Sequence, residues 1–187
     1  MKFMTGLLLL LALSALVLFM VLTLTEPASS FTQYKRNDYR HWVDDNRNCL
    51  NTRHEVLRQE SLTPPVISNC KVISGTWYDP YTGKVFRRAS ELDVDHFIPL
   101  AEAHRSGAWK WSKKRKREYA NDLTHPDTLI AVSKSANRSK GDKDPSRWIP
   151  PNKRYKCEYI RRWVLLKRHH RLHMDSKEKN FIINSGC

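Results

Sequence analysis

Four cysteines, Cys49, Cys70, Cys157 and Cys187, constrain this chain more than any other feature. No Cys-x-x-Cys spacing occurs, which speaks against a structural zinc site of the finger or ribbon kind. Whether such an even set forms disulfides depends on the compartment. The N-terminus bears on that. Lys2 precedes an apolar run over Leu7–Leu24, broken only by Ser14 and Thr23, and Glu26-Pro27 ends it. Ala28-Ser29-Ser30 then supplies the small residues that a signal peptidase needs. Residues 1–30 are read as a signal peptide cleaved after Ser30, or as a membrane anchor, because 18 residues just reach across a bilayer. Either way Lys2 stays inside, and residues 31–187 lie outside the cytoplasm, secreted, periplasmic or tethered. There the cysteines read as two disulfides. Three pairings are open. Cys49–Cys70 with Cys157–Cys187 is favoured because each closes a local loop, and each bridge then stabilises the fold by roughly 3 kcal/mol.

Lys and Arg number 33 against 19 Asp and Glu, a net charge of +14. Removing residues 1–30 takes away Lys2 and Glu26, so the charge persists in a processed chain. So basic a field calls for an acidic partner, either nucleic acid or an anionic membrane, and argues against cationic or apolar ligands. Hydrophobic residues make up 40% of the chain, enough for a packed core. No repeat or long low-complexity tract divides residues 31–187, which are read as one α+β domain.

Local patterns sketch the elements. Tyr39, Trp42 and Val43 keep helical spacing. Thr52-x-x-Glu55 is a capping box that opens a helix to about Glu60, and Thr63-Pro64-Pro65 ends it. Lys71–Trp77 and Lys84–Arg88 read as a hairpin around the turn Asp79-Pro80-Tyr81-Thr82-Gly83. Leu92–Ile98 alternates as a strand and Pro99 stops it. Ser112 caps a helix to about Asn121. Leu129–Val132 is a strand, and Ser133–Lys140 a short helix stopped at Gly141. Asn152 caps a long helix to about Leu172, and Asp175-x-x-Glu178 opens the last one.

The chemistry concentrates in Asp93-Val94-Asp95-His96-Phe97-Ile98-Pro99-Leu100. A carboxylate suits a hard divalent ion, and an imidazole beside it suits a general base. Alone, Asp-His is also what a structural ion pair looks like. A second element raises its meaning. Asn137 sits one turn before Lys140 on the helix that follows the second strand. An amide oxygen can complete an oxygen-ligated metal site, and Lys140 or Arg138 can hold a phosphate.

With these elements the chain resembles the HNH nucleases of the ββα-metal superfamily. More closely, it resembles the exported nuclease relatives of the C-terminal domain of GmrSD-type restriction enzymes. The likeness is carried by Asp95-His96-Phe97-Ile98-Pro99-Leu100-Ala101-Glu102-Ala103, Ser106-Gly107-Ala108, Tyr119-Ala120-Asn121-Asp122-Leu123, Ala131-Val132-Ser133, Asn137-Arg138-Ser139-Lys140-Gly141-Asp142 and Trp148-Ile149-Pro150-Pro151-Asn152. Upstream, Cys49 with Thr52–Leu57 and Gly75-Thr76-Trp77 with Asp79–Gly83 belong to it as well, so that it spans about residues 38–185. The resemblance implies a ββα-metal core with an N-terminal hairpin and added helices. It implies His96 as general base and Asp95 and Asn137 as ligands of one divalent ion, Mg²⁺ with Mn²⁺ as the alternative. The middle position of the HNH pattern departs, being Thr128 in place of Asn or His.

Around this centre, Asp93 and Glu102 are placed as supporting groups beside the ligands. Lys113, Lys114, Arg115, Lys116 and Arg117, with Lys153 and Arg154, form the expected nucleic-acid footprint, although five consecutive helical positions cannot all face one groove. His169, His170 and His173 read as a solvated helix end, and Trp109, Trp111, Trp148 and Trp163 as core. The expectation is therefore a monomeric, exported, metal-dependent endonuclease with little sequence specificity, acting on DNA ahead of RNA. Its competitors are a catalytically inactive nucleic-acid binder of the same fold and a cationic membrane-active protein.

Overall fold

The computed structural model describes residues 31–187; the expected signal peptide or anchor over residues 1–30 lies outside the described residues. The first strong element is helix α1 (Thr52–Gln59). Its cap is Asn51, whose side chain accepts from His54 N, and not Thr52 as the sequence pattern suggests. Thr52 instead donates its hydroxyl to Val43 O and to Asn121 Oδ1. Upstream, the helical spacing of Tyr39, Trp42 and Val43 does not give an α-helix. A single 3₁₀ turn forms at Arg36–Asp38, and Trp42 takes φ +58°, outside any right-handed helix.

Three antiparallel strands follow: β1 (Val66–Ser68), β2 (Lys71–Asp79) and β3 (Lys84–Arg88), in the order β1-β2-β3. The hairpin of β2 and β3 matches the sequence expectation. Strand β1 does not appear in the sequence reading, because Pro64-Pro65 masks a three-residue edge. Cys70, in the β1–β2 turn, is bonded to Cys49, and Cys157 to Cys187, so the local-loop pairing is the one formed.

The second sheet is a pair. Strand β4 (Leu92–His96) runs antiparallel to β5 (Leu129–Ser133), with Asp95 opposite Ile130 and His96 opposite Leu129. Between them lie α2 (Leu100–Arg105) and α3 (Lys113–Ala120). Helix α2 is new relative to the sequence reading. Pro99 lies three residues past the end of β4 and occupies the N-cap of α2. Ser112 caps α3 through Arg115 N, as expected.

Ser133, the last residue of β5, caps α4 (Lys134–Lys140) through Ala136 N. Strand and helix are thus joined without a loop, and α4 lies against both β4 and β5. Asn152 caps a 3₁₀ turn before α5 (Lys156–His169), and Asp175 caps α6 (Ser176–Ile183).

Side-chain alternation across the β4–β5 pair separates two cores. Leu92, Val94, Leu129 and Ala131 pack with Trp77 and Leu57. Ile130 and Val132 face the other way, into the cluster of Tyr81, Phe97, Tyr159 and Trp163. Asp93 and Asp95 alternate onto this second face. Among the described residues no helix is long and apolar enough to cross a membrane.

Candidate active site

Asp95 is 4% exposed and carries two donors on one oxygen. The Lys140 ammonium lies 2.6 Å from Oδ2, and the Tyr81 hydroxyl donates to Oδ2 at 2.7 Å. Lys140 is 0% exposed and also donates to His96 O at 3.0 Å. Its single helical turn from Asn137 brings it under the end of β4. Burial pushes the Asp95 carboxyl up and the Lys140 ammonium down, while their mutual attraction opposes both changes. The Tyr81 phenol is pushed well up by burial and then by the Asp95 charge, so it serves as donor only.

Tyr81 is held by its turn. Asp79, fully buried, accepts Tyr81 N on Oδ1, and both Thr82 Oγ1 and Ser133 N on Oδ2. Asn152 closes the other side, giving its backbone N–H to Tyr81 O and its amide to Pro80 O. Gly83 completes the turn at φ +73°, a conformation that favours glycine. The first sheet therefore delivers one hydroxyl to the second.

His96 is 6% exposed, and its Nε2 lies 3.0 Å from Ala120 O at the end of α3. A carbonyl only accepts, so Nε2 carries the proton and Nδ1 keeps the lone pair. The ring stacks on Trp42, with centroids 5.4 Å apart and planes at 29°. Burial lowers the imidazole pKa to about 3, so the ring is neutral at physiological pH. Phe97 N donates to Thr128 O, which carries the β4–β5 pairing one step beyond His96.

Asn137 gives its amide N–H to Asp93 Oδ2 at 3.2 Å. That bond sets the amide orientation and leaves its oxygen as the acceptor. Asp95, His96, Asn137 and Arg138 line one cavity of about 510 Å³, together with Arg36 and Asp142. Both donors of Asp95 take Oδ2, so Oδ1 is the oxygen open to a cation. Two oxygens of this kind, from Asp95 and Asn137, suit a hard divalent ion. The ion would share its carboxylate with the Lys140 ammonium.

Other expected residues take different places. Lys140, expected to hold a phosphate, is corrected: its ammonium is enclosed on Asp95 and the His96 carbonyl. Lys116 is also corrected, being buried with its ammonium 5.5 Å from the Tyr39 ring. Lys113, Lys114 and Arg115 are exposed, whereas Arg117 pairs with Asp45. Lys153, Arg154 and Arg138 are exposed. Glu102 does not line the cavity of Asp95. It binds Lys167 and Ser106, and reaches the site only through Arg105, which it shares with Asp142. Thr128 gives its hydroxyl to Asp122 and meets His170 Nε2, so its side chain does not hold His96. His170 is not a solvated helix end: it is half-buried and stands edge-on to Tyr119, with centroids 4.8 Å apart.

Sequence reasoning missed Tyr81, Trp42 and the Ala120 carbonyl as parts of this centre. Tyr81 lies in the Asp79–Gly83 turn signal and Ala120 in the Tyr119–Leu123 stretch that carries the family likeness, but neither pattern marks its role here. The profile of the family described as GmrSD restriction endonucleases, C-terminal domain, matches residues 42–184. An uncharacterized secreted protein of Arthroderma benhamiae (strain ATCC MYA-4681 / CBS 112371) is 40% identical over 147 residues, which cover 79% of this chain and 71% of that protein. No solved structure matches.

Proposed function

This chain belongs to the family of GmrSD restriction endonuclease C-terminal domains, and from that premise we propose that it is an exported, metal-dependent endonuclease hydrolysing phosphodiester bonds in nucleic acid. DNA is the substrate we favour over RNA, with little sequence specificity. The observation that carries this reading is the cavity shared by Asp95, His96 and Asn137. In it the histidine has one nitrogen fixed as donor and the other left as base. We read β4, β5 and α4 as the ββα-metal core of an HNH nuclease.

His96 Nδ1 takes the proton of the attacking water. A phosphate anion entering the cavity raises the basicity of that imidazole and brings it closer to a useful range. Asp95 Oδ1 and the Asn137 amide oxygen would hold one divalent ion, with Mg²⁺ favoured; when bound, it stabilises the negative charge that develops on the phosphoryl oxygens. Lys140 and Tyr81 fix the carboxylate from behind. Arg138 and Arg36 supply cationic side chains for the phosphate at the cavity's edge. Exposed Lys113, Lys114, Lys153 and Arg154 add a general attraction for the polyanion. Export is supported by the leader-like sequence, the two disulfides and the printed name of the Arthroderma relative.

The competing reading is a nucleic-acid binder without catalysis, favoured by the ammonium that already neutralises Asp95. Plasmid DNA, single-stranded DNA and RNA, each incubated with oxidised protein in Mg²⁺ and in EDTA, separate the two. Cleavage in Mg²⁺ alone supports the nuclease. Retention of DNA without cleavage under any metal supports the binder.

A further inference from the structure

We propose that Asp122, His169 and His170 form a second cation site, of the Zn²⁺ class, that ties the end of α5 to the loop preceding β5. Each of the three offers a ligand atom, and these atoms all lie within 4.8 Å of one another. Tetrahedral zinc, with bonds near 2.0–2.2 Å, asks for ligands roughly 3.3 Å apart, so modest side-chain rotation closes the site.

The donor chemistry separates this site from the one around Asp95. Two imidazoles and one carboxylate select a borderline ion such as Zn²⁺, whereas carboxylate and amide oxygens suit Mg²⁺. The ligands are also held as metal ligands usually are. Asp122 Oδ1 accepts Thr124 N and Oγ1, and Oδ2 accepts Thr128 Oγ1. Those hydrogen bonds outweigh the cost of burial and keep the carboxyl below its ordinary range. Thr128 Oγ1 also meets His170 Nε2. The three residues open on a cavity of about 460 Å³, which leaves a coordination position for water.

The consequence is mechanical. Residues 122–128 are otherwise a loop, yet Thr128 O receives Phe97 N directly after His96. An ion at this site fastens that loop to α5. The inference does not rest on the nuclease reading.

The test uses the oxidised, metal-stripped protein. Zn²⁺ is titrated by calorimetry, and Co²⁺ by visible absorption, which reports tetrahedral coordination without any variant. One Zn²⁺ per chain is expected at this site, with the thermal midpoint raised by about 5–10 °C when free Zn²⁺ is about 100 times Kd. His169→Ala, at an exposed position, is expected to abolish this binding while its midpoint in EDTA stays that of the wild type. Asn137→Ala is expected to retain it. Absence of saturable Zn²⁺ binding in the wild type overturns the proposal. So does wild-type Zn²⁺ binding by His169→Ala, or its loss in Asn137→Ala alone.

Discussion

Two lysines, Lys140 and Lys167, are both fully buried, and their surroundings differ in a way that separates the proposed centre from a strut. Lys167 is saturated. Its ammonium meets Glu102 Oε1 at 2.7 Å, Ser106 Oγ at 2.6 Å, His173 O at 2.9 Å and Glu178 Oε2 at 3.4 Å. Glu178 also accepts the Trp163 indole N–H, and Glu102 accepts Arg105. The polar groups of that cluster are used on one another, and they bind α2, α5 and α6 together. Lys140 meets one carboxylate and one carbonyl. The second oxygen of that carboxylate remains for the cavity. A buried pair that is fully spent holds a fold; one with an oxygen in reserve can hold something else.

The largest effect that tests this contrast is on stability. Lys167→Met leaves Glu102 and Glu178 without their shared cation and is expected to cost about 3–5 kcal/mol in urea unfolding. At equal folded fraction it should leave cleavage per molecule unchanged. A specific activity that collapses in the folded variant would erase the distinction between the two lysines.

Lys140→Met is expected to cost somewhat less, about 3 kcal/mol, since only one carboxylate loses its partner. Its signature is different: Mg²⁺ should raise its melting temperature more than it raises that of the wild type, because the ion no longer competes with an ammonium at Asp95. An Mg²⁺ response equal to that of wild type would put the ion elsewhere.

Tyr81→Phe removes one hydroxyl from Asp95 without changing shape, a loss of about 1.5–3 kcal/mol for a hydrogen bond to a charged group. Trp163→Tyr removes the indole N–H that Glu178 accepts. The first is expected to lower cleavage by about tenfold, as a misplaced ligand should, and the second to leave it intact in folded protein. Equal effects on cleavage would contradict the assignment of roles.

A further effect is on pH. His96, with its pKa lowered to about 3, and His170, lowered to about 4, stay neutral in the fold where an unfolded histidine binds a proton below its ordinary 6.5. The unfolded chain therefore takes up more protons between pH 6.5 and these values, and stability falls as pH falls through that window. Urea midpoints should drop from pH 7 to pH 5, and His96→Ala should drop less.

Much of the Asp95 centre is legible in the sequence because its main parts are local. Asp95 and His96 adjoin, Asn137 and Lys140 share a turn, and Ser133 marks where strand becomes helix. What the sequence hides comes from across the fold. Tyr81 reaches Asp95 from the other sheet, Trp42 stacks on His96 from an irregular segment, and the Ala120 carbonyl arrives at a helix end. No periodicity encodes such meetings. Glu102 reads as a neighbour of Asp95 by spacing, but α2 turns it toward Lys167. The absence of α2 and β1 from the sequence expectation has one cause: Pro99 and Pro64-Pro65 read as stops, whereas proline also begins elements.

We propose His96 as the base of a phosphodiesterase centre. That role is tested by single-turnover cleavage of plasmid DNA in Mg²⁺, wild type beside His96→Ala, with both proteins shown to be folded and oxidised. A loss of about 10²–10⁴-fold is expected in the variant. Cleavage by His96→Ala at the wild-type rate would contradict it.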